Sequence, residues 1–273
     1  MKLKRPFFIL IILIMTLGFV SCTIPTFDDG IQKNTADSEE KYNGCIIFDG
    51  RRYTYSGETE GVRADGDRLI IKKRGVYLIS GRLTEGRIEI DCMGDVHIVL
   101  DGFEGSSSYG AVIERKDGGE LSLSATKGSA NILTSSYEAT DSETPTGCIS
   151  VRGRLCLLGE GRLTVNAGKG SGIVCTDLYA AGGELSVSCA KNGIFVSNSL
   201  KMTGGEVTVT YSKIGICAGA GEYSEGSVEL LGGSVTAVCK EIGILHSGKL
   251  TVQEENVDIH APCFSLSEKK QDI

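Results

Sequence analysis

Three lysines with a constant spacing are the clearest candidates for ligand chemistry in this chain. Lys169, Lys191 and Lys213 lie 22 residues apart, each eight residues after a glycine. If one repeat stacks on the next, they form a column with rungs about 4.8 Å apart. Such a column could bind carboxylates along an acidic polysaccharide such as a polygalacturonate. The alternative is a solvated turn in which lysine recurs only with the repeat, and Glu241 takes the place after Lys213.

The residue patterns that would support catalysis are weaker. Glu184 and Glu206 also lie 22 residues apart, and two carboxyl groups about 5–10 Å apart can serve a glycosidase. Both follow turn glycines, which favours an exposed pair. His97, His246 and His260 lack metal-type spacing, and no Gly-x-Ser-x-Gly or Cys-x-x-Cys motif occurs. We therefore predict no enzymatic activity, with a polysaccharide lyase or glycoside hydrolase as the less favoured alternative.

The first 21 residues have the pattern of an export signal. Two lysines and one arginine within the first five residues precede an apolar stretch over residues 7–20, which is too short to span a bilayer comfortably. Phe19-Val20-Ser21-Cys22 then resembles a bacterial lipoprotein processing site, with Phe19 in place of the usual Leu. We predict a lipoprotein signal peptide over residues 1–21 and a lipid anchor on Cys22, with an ordinary secretory signal as the alternative.

The charge of the remaining chain limits its partners. Loss of residues 1–21, which carry three positive charges and no acid, changes the formal charge from −7 to −10. Nucleic-acid binding depends on clustered Lys and Arg, so we predict no nucleic-acid partner. We expect membrane contact only through the lipid anchor, on the outer face of a bacterial cell membrane.

The repeat register argues against disulfides. Ten cysteines in an exported chain would ordinarily suggest them. Cys189 and Cys239 are predicted to share a column with Tyr211 between them, which separates their Cα atoms by roughly 9–10 Å, beyond disulfide reach. We expect most cysteines to be small buried core residues. Three cysteines lie outside the clear register and are left unassigned: Cys45, Cys92 and Cys263.

The elements that must position these side chains come from a repeat over residues 159–246. The motif Gly-Gly-Glu-Leu-Ser-Val at residues 182–187 returns as Gly-Gly-Glu-Val-Thr-Val at residues 204–209 and as Gly-Gly-Ser-Val-Thr-Ala at residues 232–237. A less perfect copy lies at residues 160–165. A Gly-Ile pair runs in phase with it, starting at residues 172, 193, 215 and 243. Each unit of about 22 residues holds three short alternating segments, which predicts three strands and three turns per coil. The predicted fold is therefore all-β, a single-stranded parallel β-helix, or solenoid.

The alternation also predicts which side chains face inward. One inward column contains Leu163, Leu185, Val207 and Val235, and the next contains Val165, Val187, Val209 and Ala237. The residues between these columns should face solvent: Thr164, Ser186, Thr208 and Thr236. We predict a flexible tether at residues 22–44, the β-helix domain at residues 45–262 and a tail at residues 263–273.

Several stretches resemble a bacterial family of carbohydrate-binding domain-containing proteins, formerly a domain of unknown function. The resemblance runs from about Cys45 to Ile259 and is carried by residues 70–81, 99–102 and 163–167 together with the Gly-Ile and Gly-Gly repeats. It implies a right-handed parallel β-helix that is lipid-anchored or secreted. It also implies calcium ions along the helix and binding of cell-wall polysaccharides, including acidic sugars.

One departure from this family concerns the metal. Relatives commonly place Asp before the Gly-Ile pair, but here the four positions hold Ser171, Asn192, Ile214 and Ile242. Calcium takes six to eight oxygen ligands, and isoleucine supplies none, so calcium is expected only from the resemblance and its ligands are unknown. Asp141 and Glu143, in a polar loop, could still bind an ion, although two acids in such a loop are more often simply solvated.

These observations predict a cell-surface, lipid-anchored protein that binds polysaccharide, with acidic sugars among its ligands, and does not cleave it. The carbohydrate-binding residues are predicted to be the three lysines. A structural or adhesive β-helix stalk is the alternative from a different class.

Overall fold

The computed structural model describes residues 42–138, 146–219, 225–253 and 257–267. Within these ranges the chain forms strands and turns without an α-helix, and no helix that could cross a membrane is found in them. The predicted signal peptide, Cys22, Asp141 and Glu143 lie outside the described residues, as does most of the predicted tether.

The described residues form eighteen β-strands. In chain order these are β1 (Gly44–Gly50), β2 (Arg52–Gly57), β3 (Val62–Asp65), β4 (Arg68–Ile71), β5 (Gly75–Leu83), β6 (Arg87–Ile90), β7 (Val96–Ser107), β8 (Ile113–Arg115), β9 (Leu121–Ala125), β10 (Ala130–Ser135), β11 (Gly147–Gly159), β12 (Arg162–Ala167), β13 (Ser171–Cys189), β14 (Asn192–Ala218), β15 (Ser227–His246), β16 (Leu250–Val252), β17 (Val257–His260) and β18 (Cys263–Ser267).

The strands wind into a parallel β-solenoid of about seven turns, spaced by roughly 24 residues. The longest strands bend at corners, so one strand contributes to more than one face of the coil. Face A includes residues 147–151, 171–175, 192–196, 214–218, 242–246 and 263–267. Face B includes residues 121–125, 154–158, 177–181, 199–203, 227–231 and 250–252. Face C includes residues 130–135, 162–167, 184–189, 206–210, 234–238 and 257–260.

The core lies inside the coils and is built from stacked columns of like side chains. On face A the inward column consists of Ile88, Ile113, Ile149, Ile173, Ile194, Ile216 and Ile244, each at most 1% exposed. On face C both predicted inward columns are confirmed: Leu163 pairs with Leu185, Val207 and Val235 rung by rung, and the Val165 column behaves in the same way. Burial of these columns against one another is the main source of stability, because a single coil cannot cover its own inward face.

Two sets of glycines make this close stacking possible. In the Gly-Ile pairs, a Cβ on Gly193 would lie 2.4 Å from Val209 Cγ1 and 2.6 Å from the carbonyl oxygen of Gly215 on the next coil. In the Gly-Gly pairs, Gly205 has a φ of +84°, in the left-handed region that glycine adopts without steric cost. The first set permits close approach of neighbouring coils, and the second turns the chain from face B into face C.

The ends of the solenoid differ from its middle. At the amino-terminal end β1 pairs antiparallel with β2, and β3 pairs antiparallel with β4, two hairpins that the repeat pattern did not predict. At the other end β18 pairs in parallel with residues 242–246 of β15. The sheet therefore continues to Ser267, beyond the predicted domain end at residue 262.

The described cysteines form no disulfide, but one predicted register is wrong. None of the nine cysteines among the described residues is joined in a disulfide, and six of them are buried. The residue opposite Cys239 is Ser212 rather than Tyr211, because the ladder shifts register between Thr210 and Ser212. Ser212 is fully buried, with its Oγ 3.4 Å from Cys239 Sγ, whereas Tyr211 points outward. The tyrosine ring is too large for a column that holds Ala167 and Cys189 on the preceding coils.

Candidate functional site

The three lysines lie at the corner where face C turns into face A. All three are exposed. Backbone hydrogen bonds hold the corner in register: the Lys191 N–H donates to Gly170 O at 3.0 Å, and the Lys213 N–H donates to Lys191 O at 2.8 Å. The Lys213 ammonium lies 3.4 Å from the Glu241 carboxylate on the following coil. Within the described ranges, neither Lys169 nor Lys191 has a carboxylate within ion-pair distance.

The outer surface of face C is a regular polar array beside these lysines. We call it the hydroxyl face, and it consists of the outward side chains of Thr164, Ser186, Thr208, Thr236, Asn166, Ser188 and Thr210. Its members are partly exposed and lie on neighbouring rungs about 4.8 Å apart. Hydroxyl groups both donate and accept hydrogen bonds, so this surface can match a ligand that presents hydroxyl groups of its own.

The hydroxyl face continues into a groove toward the amino-terminal coils. In the ladder Arg82 pairs with Glu104, Glu104 with Ile132, and Ile132 with Thr164. The groove over this region has a volume of about 340 Å³ and is lined by Arg82, Leu83, Thr84, Glu104, Gly105, Ser106, Ile132 and Thr134. The Arg82 guanidinium lies 2.7 Å from the Glu104 carboxylate. The groove and the hydroxyl face thus adjoin along the solenoid axis, with the exposed Ile132 between Glu104 and Thr164.

The Glu184–Glu206 pair lies along the opposite edge of the hydroxyl face. The two residues are direct ladder partners, and both are exposed. Arg162, on the preceding coil, donates to the Glu184 carboxylate at 2.8 Å. Because both carboxylates are exposed, their surroundings resemble a solvated edge more than a catalytic dyad.

The histidines and the buried thiols are poor candidates for chemistry. His97 Nε2 lies 2.7 Å from Ser124 Oγ, and His246 Nδ1 donates to Gly248 O at 2.7 Å. Among the described residues, no three His, Cys, Asp or Glu side chains come together as a metal site. Burial raises the pKa of Cys148 to about 12 and of Cys189 to about 11. Both thiols therefore stay protonated at neutral pH and are poor nucleophiles.

Sequence reasoning missed a charged ladder at the start of face B. The ladder stacks Glu120 beside Arg154, and Arg154 beside Asp177. Burial raises the pKa of Glu120 above its usual range, and the nearby Asp95 carboxylate adds a smaller effect in the same direction. Arg154 lies 3.5 Å from the Glu120 carboxylate. Glu120 and Arg154 precede the repeat of residues 159–246, and Ser199 takes the place of Asp177 in the next unit, so no recurring charge marked this ladder in the sequence.

The family of the chain follows from its match to a family model. The model of the carbohydrate-binding domain-containing proteins matches residues 65–272, about three quarters of the chain. The chain belongs to this family. One curated relative, a carbohydrate-binding domain-containing protein from Acetivibrio thermocellus, is 30% identical over 148 residues. That match covers 52% of this chain, and the chain spans about half the length of the relative.

A solved structure has a similar fold. A polysaccharide lyase-like protein from C. thermocellum, determined as a gadolinium derivative, superimposes with a TM-score of 0.68 at 25% sequence identity. The match covers 84% of this chain and 98% of that protein. This member of a carbohydrate-binding family therefore shares its solenoid with a lyase-like protein, and the fold alone does not decide between binding and cleavage.

The positions at which the family resemblance implied calcium ligands do not fit that ion in this member. Ser171 is buried, and its hydroxyl accepts a hydrogen bond from the Asn192 N–H at 3.3 Å. Ile214 and Ile242 are ladder partners with hydrocarbon side chains. Both pack on a second apolar cluster, the outer apolar cluster, made of Phe195, Cys217 and Leu245 with Val174 alongside. Hydrophobic contacts thus occupy the place where carboxylates would be needed.

Proposed function

We propose that this carbohydrate-binding domain protein binds polysaccharide without cleaving it. We further propose that Cys22 carries a lipid that anchors the protein on the outer face of a bacterial cell membrane. The membership of the family supports polysaccharide as the ligand class. The export pattern of residues 1–22 supports the location.

The observation that carries the proposal is the mainly polar surface of face C, on which Ile132 and Val238 are the exposed apolar side chains. The groove, the hydroxyl face and the lysine corner run parallel to the stacking direction, so an extended chain of sugars can contact several coils at once. Each contact is weak, but contacts on successive rungs add within one binding event. A long ligand is therefore favoured over a single sugar.

Acidic sugars are proposed as ligands because of the lysine corner. Exposed Lys–carboxylate contacts contribute on the order of 0.2–1 kcal/mol each, so three rungs together are needed for a useful effect. Such contacts are screened by salt, because the Debye length falls to about 3 Å at 1 M. Binding of polygalacturonate should therefore weaken with salt, whereas binding of a neutral glucan should not.

The decisive experiment is a pull-down on a set of polysaccharides in which new reducing ends and unsaturated ends are measured in the same samples. Retention without new ends is the expected result. New ends would favour a lyase or a hydrolase, the alternative suggested by the lyase-like neighbour. Absence of both retention and new ends would favour a structural or adhesive stalk.

The role of the lysines can be tested by the triple change of Lys169, Lys191 and Lys213 to Ser. Polygalacturonate binding at low salt should fall, because the cationic column is lost. The matched control changes three exposed lysines elsewhere to Ser: Lys73, Lys127 and Lys249. It removes the same charge, so an equal loss in the control would assign the effect to net charge and not to the corner.

The anchor can be tested by Cys22→Ala. The exported variant should leave the membrane fraction, because it has no thiol to receive the lipid. Persistence in that fraction with the signal peptide removed would contradict the lipoprotein assignment.

A further inference from the structure

One aromatic side chain on the lysine corner is exposed although its position in the repeat is an inward one. Tyr211 occupies the same place in its unit as Cys189 in the preceding unit, one residue after the paired Ser188 and Thr210. Cys189 is buried, whereas Tyr211 is 74% exposed. The ring therefore stands on the surface, and the following coil presents Val238, 47% exposed, opposite Thr210.

The backbone at this residue is strained. Tyr211 has a φ of +61°, a left-handed conformation that bulky side chains rarely adopt. This conformation reverses the inward–outward alternation, so Ser212 turns inward and Tyr211 turns outward. In the preceding unit the order is the normal one, with Cys189 inward and Ala190 exposed.

The solenoid gains little from the ring itself. Ser212 completes the inward column and contacts Cys239, so the core is closed without Tyr211. A residue that accepts left-handed φ at low cost, such as Gly or Asn, would satisfy the backbone better. Strained residues of this kind concentrate at ligand-binding sites.

The surroundings of the ring match a sugar ligand. Thr210, a member of the hydroxyl face, precedes Tyr211, and Lys213 follows two residues later. Lys213 is bonded through its backbone to Lys191 on the adjacent rung. Along the chain Tyr211 thus lies between a hydrogen-bonding residue and a lysine, with a second lysine on the adjacent rung.

We propose that Tyr211 is a stacking platform for one sugar ring of the bound polysaccharide, and this proposal rests on the function proposed above. Tyrosine offers a large, rigid apolar surface with a polar tip. The apolar face of a pyranose packs on the ring, its hydroxyl groups reach the hydroxyl face, and a uronic carboxylate reaches Lys191 or Lys213. Tyr211 therefore fixes which sugar unit sits over the lysines.

The test separates binding from stability, using Tyr211→Gly and Tyr211→Phe in the full chain with polygalacturonate as the probe. Tyr211→Gly should unfold at a higher temperature, because it relieves the left-handed strain, yet bind about fivefold more weakly, because the platform is lost. Tyr211→Phe should keep the affinity of the parent. A residue with a purely structural role would not produce gain of stability and loss of affinity together.

Two controls sharpen the result. Tyr109→Ala removes another exposed tyrosine, 59% accessible, from the same corner of an early coil, and should leave the affinity unchanged. The chain has no tryptophan, so ligand stacking should change the tyrosine fluorescence of the parent and of Tyr109→Ala. That change should be absent in Tyr211→Phe although the variant still binds.

Two outcomes would overturn the stacking role of Tyr211. The first leaves the proposed polysaccharide binding intact, and the second refutes both. If the parent binds polygalacturonate and the lysine triple variant does not, but Tyr211→Gly binds as tightly as the parent, only the platform is refuted. If the parent binds no polysaccharide, the proposed function and the platform fail together. Should Tyr211→Gly fold poorly, Tyr211→Asn, which tolerates the same backbone conformation, replaces it in the comparison.

Discussion

Faces A and C of the same coils have opposite outer surfaces. On face C most outward side chains are the partly exposed threonines, serines and asparagine of the hydroxyl face, and Ile132 and Val238 are exposed apolar exceptions. On face A the outward side chains of the later coils are Phe195, Cys217 and Leu245, and these are buried in the outer apolar cluster. Both faces have the same rung spacing and equally apolar inward columns. The inward columns therefore define the fold, and the outward columns are free to specialise face by face.

The largest effect should come from exchanging inward and outward chemistry on face C. Val187→Asp places an unpaired charge between two apolar rungs and should destabilise by more than about 4 kcal/mol, because a buried charge without a partner is very costly. The neighbouring Ser186→Asp should cost less than about 1 kcal/mol, since Ser186 faces outward. Urea titration measures both, and equal costs would contradict the assignment of the two columns.

On face B, the outward side chain of His97 is largely buried, unlike the outward side chains of face C. Burial lowers the pKa of His97 to about 4, because it disfavours the imidazolium. Between the unfolded-state pKa of about 6.5 and the folded-state pKa of about 4, His97 binds a proton in the unfolded chain but not in the folded chain. Stability should therefore fall by about 3 kcal/mol as the pH drops from 6.5 to 4, at about 1.36 kcal/mol per pH unit.

The control for this pH dependence is His97→Gln, which keeps a hydrogen-bonding group without a titratable ring. Thermal unfolding of the two proteins between pH 4 and pH 7 should show a smaller acid loss in the variant. An identical pH profile would mean that His97 is not the group that titrates.

A third prediction compares the two outer surfaces directly. Phe195→Ser removes the largest ring of the outer apolar cluster and should cost about 2–4 kcal/mol, in the range of large-to-small changes at buried sites. Thr208→Ser on the hydroxyl face should change stability by less than about 0.5 kcal/mol. If both changes prove equally mild, the outer apolar cluster does not stabilise the solenoid.

The smallest effect should be seen at the Lys213–Glu241 ion pair. Both side chains are about half exposed, 55% and 54%, so Glu241→Gln should change stability by less than about 1 kcal/mol. The same change should strengthen polygalacturonate binding about twofold, because the Glu241 carboxylate no longer offsets the positive charge of the Lys213 ammonium. Glu160→Gln, which breaks a similar exposed pair with Lys127, should leave binding unchanged in the same assay.

The regular part of the fold was predictable because its information is local and repeated. The 22-residue spacing placed Leu163, Leu185 and Val207 in one column, and the ladder confirms that register. The hairpins at the amino-terminal end belong to no repeat, so no periodicity marked them. The left-handed φ of Tyr211 was also hidden, since alternation assumes a uniform pleat and one reversed residue moves the following side chain to the opposite face.

The candidate site was only partly accessible from sequence for a similar reason. Equal spacing predicted that Lys169, Lys191 and Lys213 stack in one column. Lys213 is bonded through its backbone to Lys191, whereas the Lys191 N–H meets Gly170, one residue after Lys169. Sequence could not tell that the positions held by Ile214 and Ile242 belong to an apolar cluster, because that depends on what packs beside them on neighbouring coils. A column of like residues is visible in sequence, whereas contacts between different columns require the folded coil.

The glycine column of the Gly-Ile pairs affects how the solenoid can gain or lose coils during evolution. Each of these glycines lies against the carbonyl oxygen of the next coil, where even a methyl group would collide. A coil gained by tandem duplication within the gene brings its own glycine and fits on its neighbours without further adjustment. The lineage can therefore lengthen or shorten its polar surface by whole rungs, while point substitutions tune the chemistry displayed on each rung.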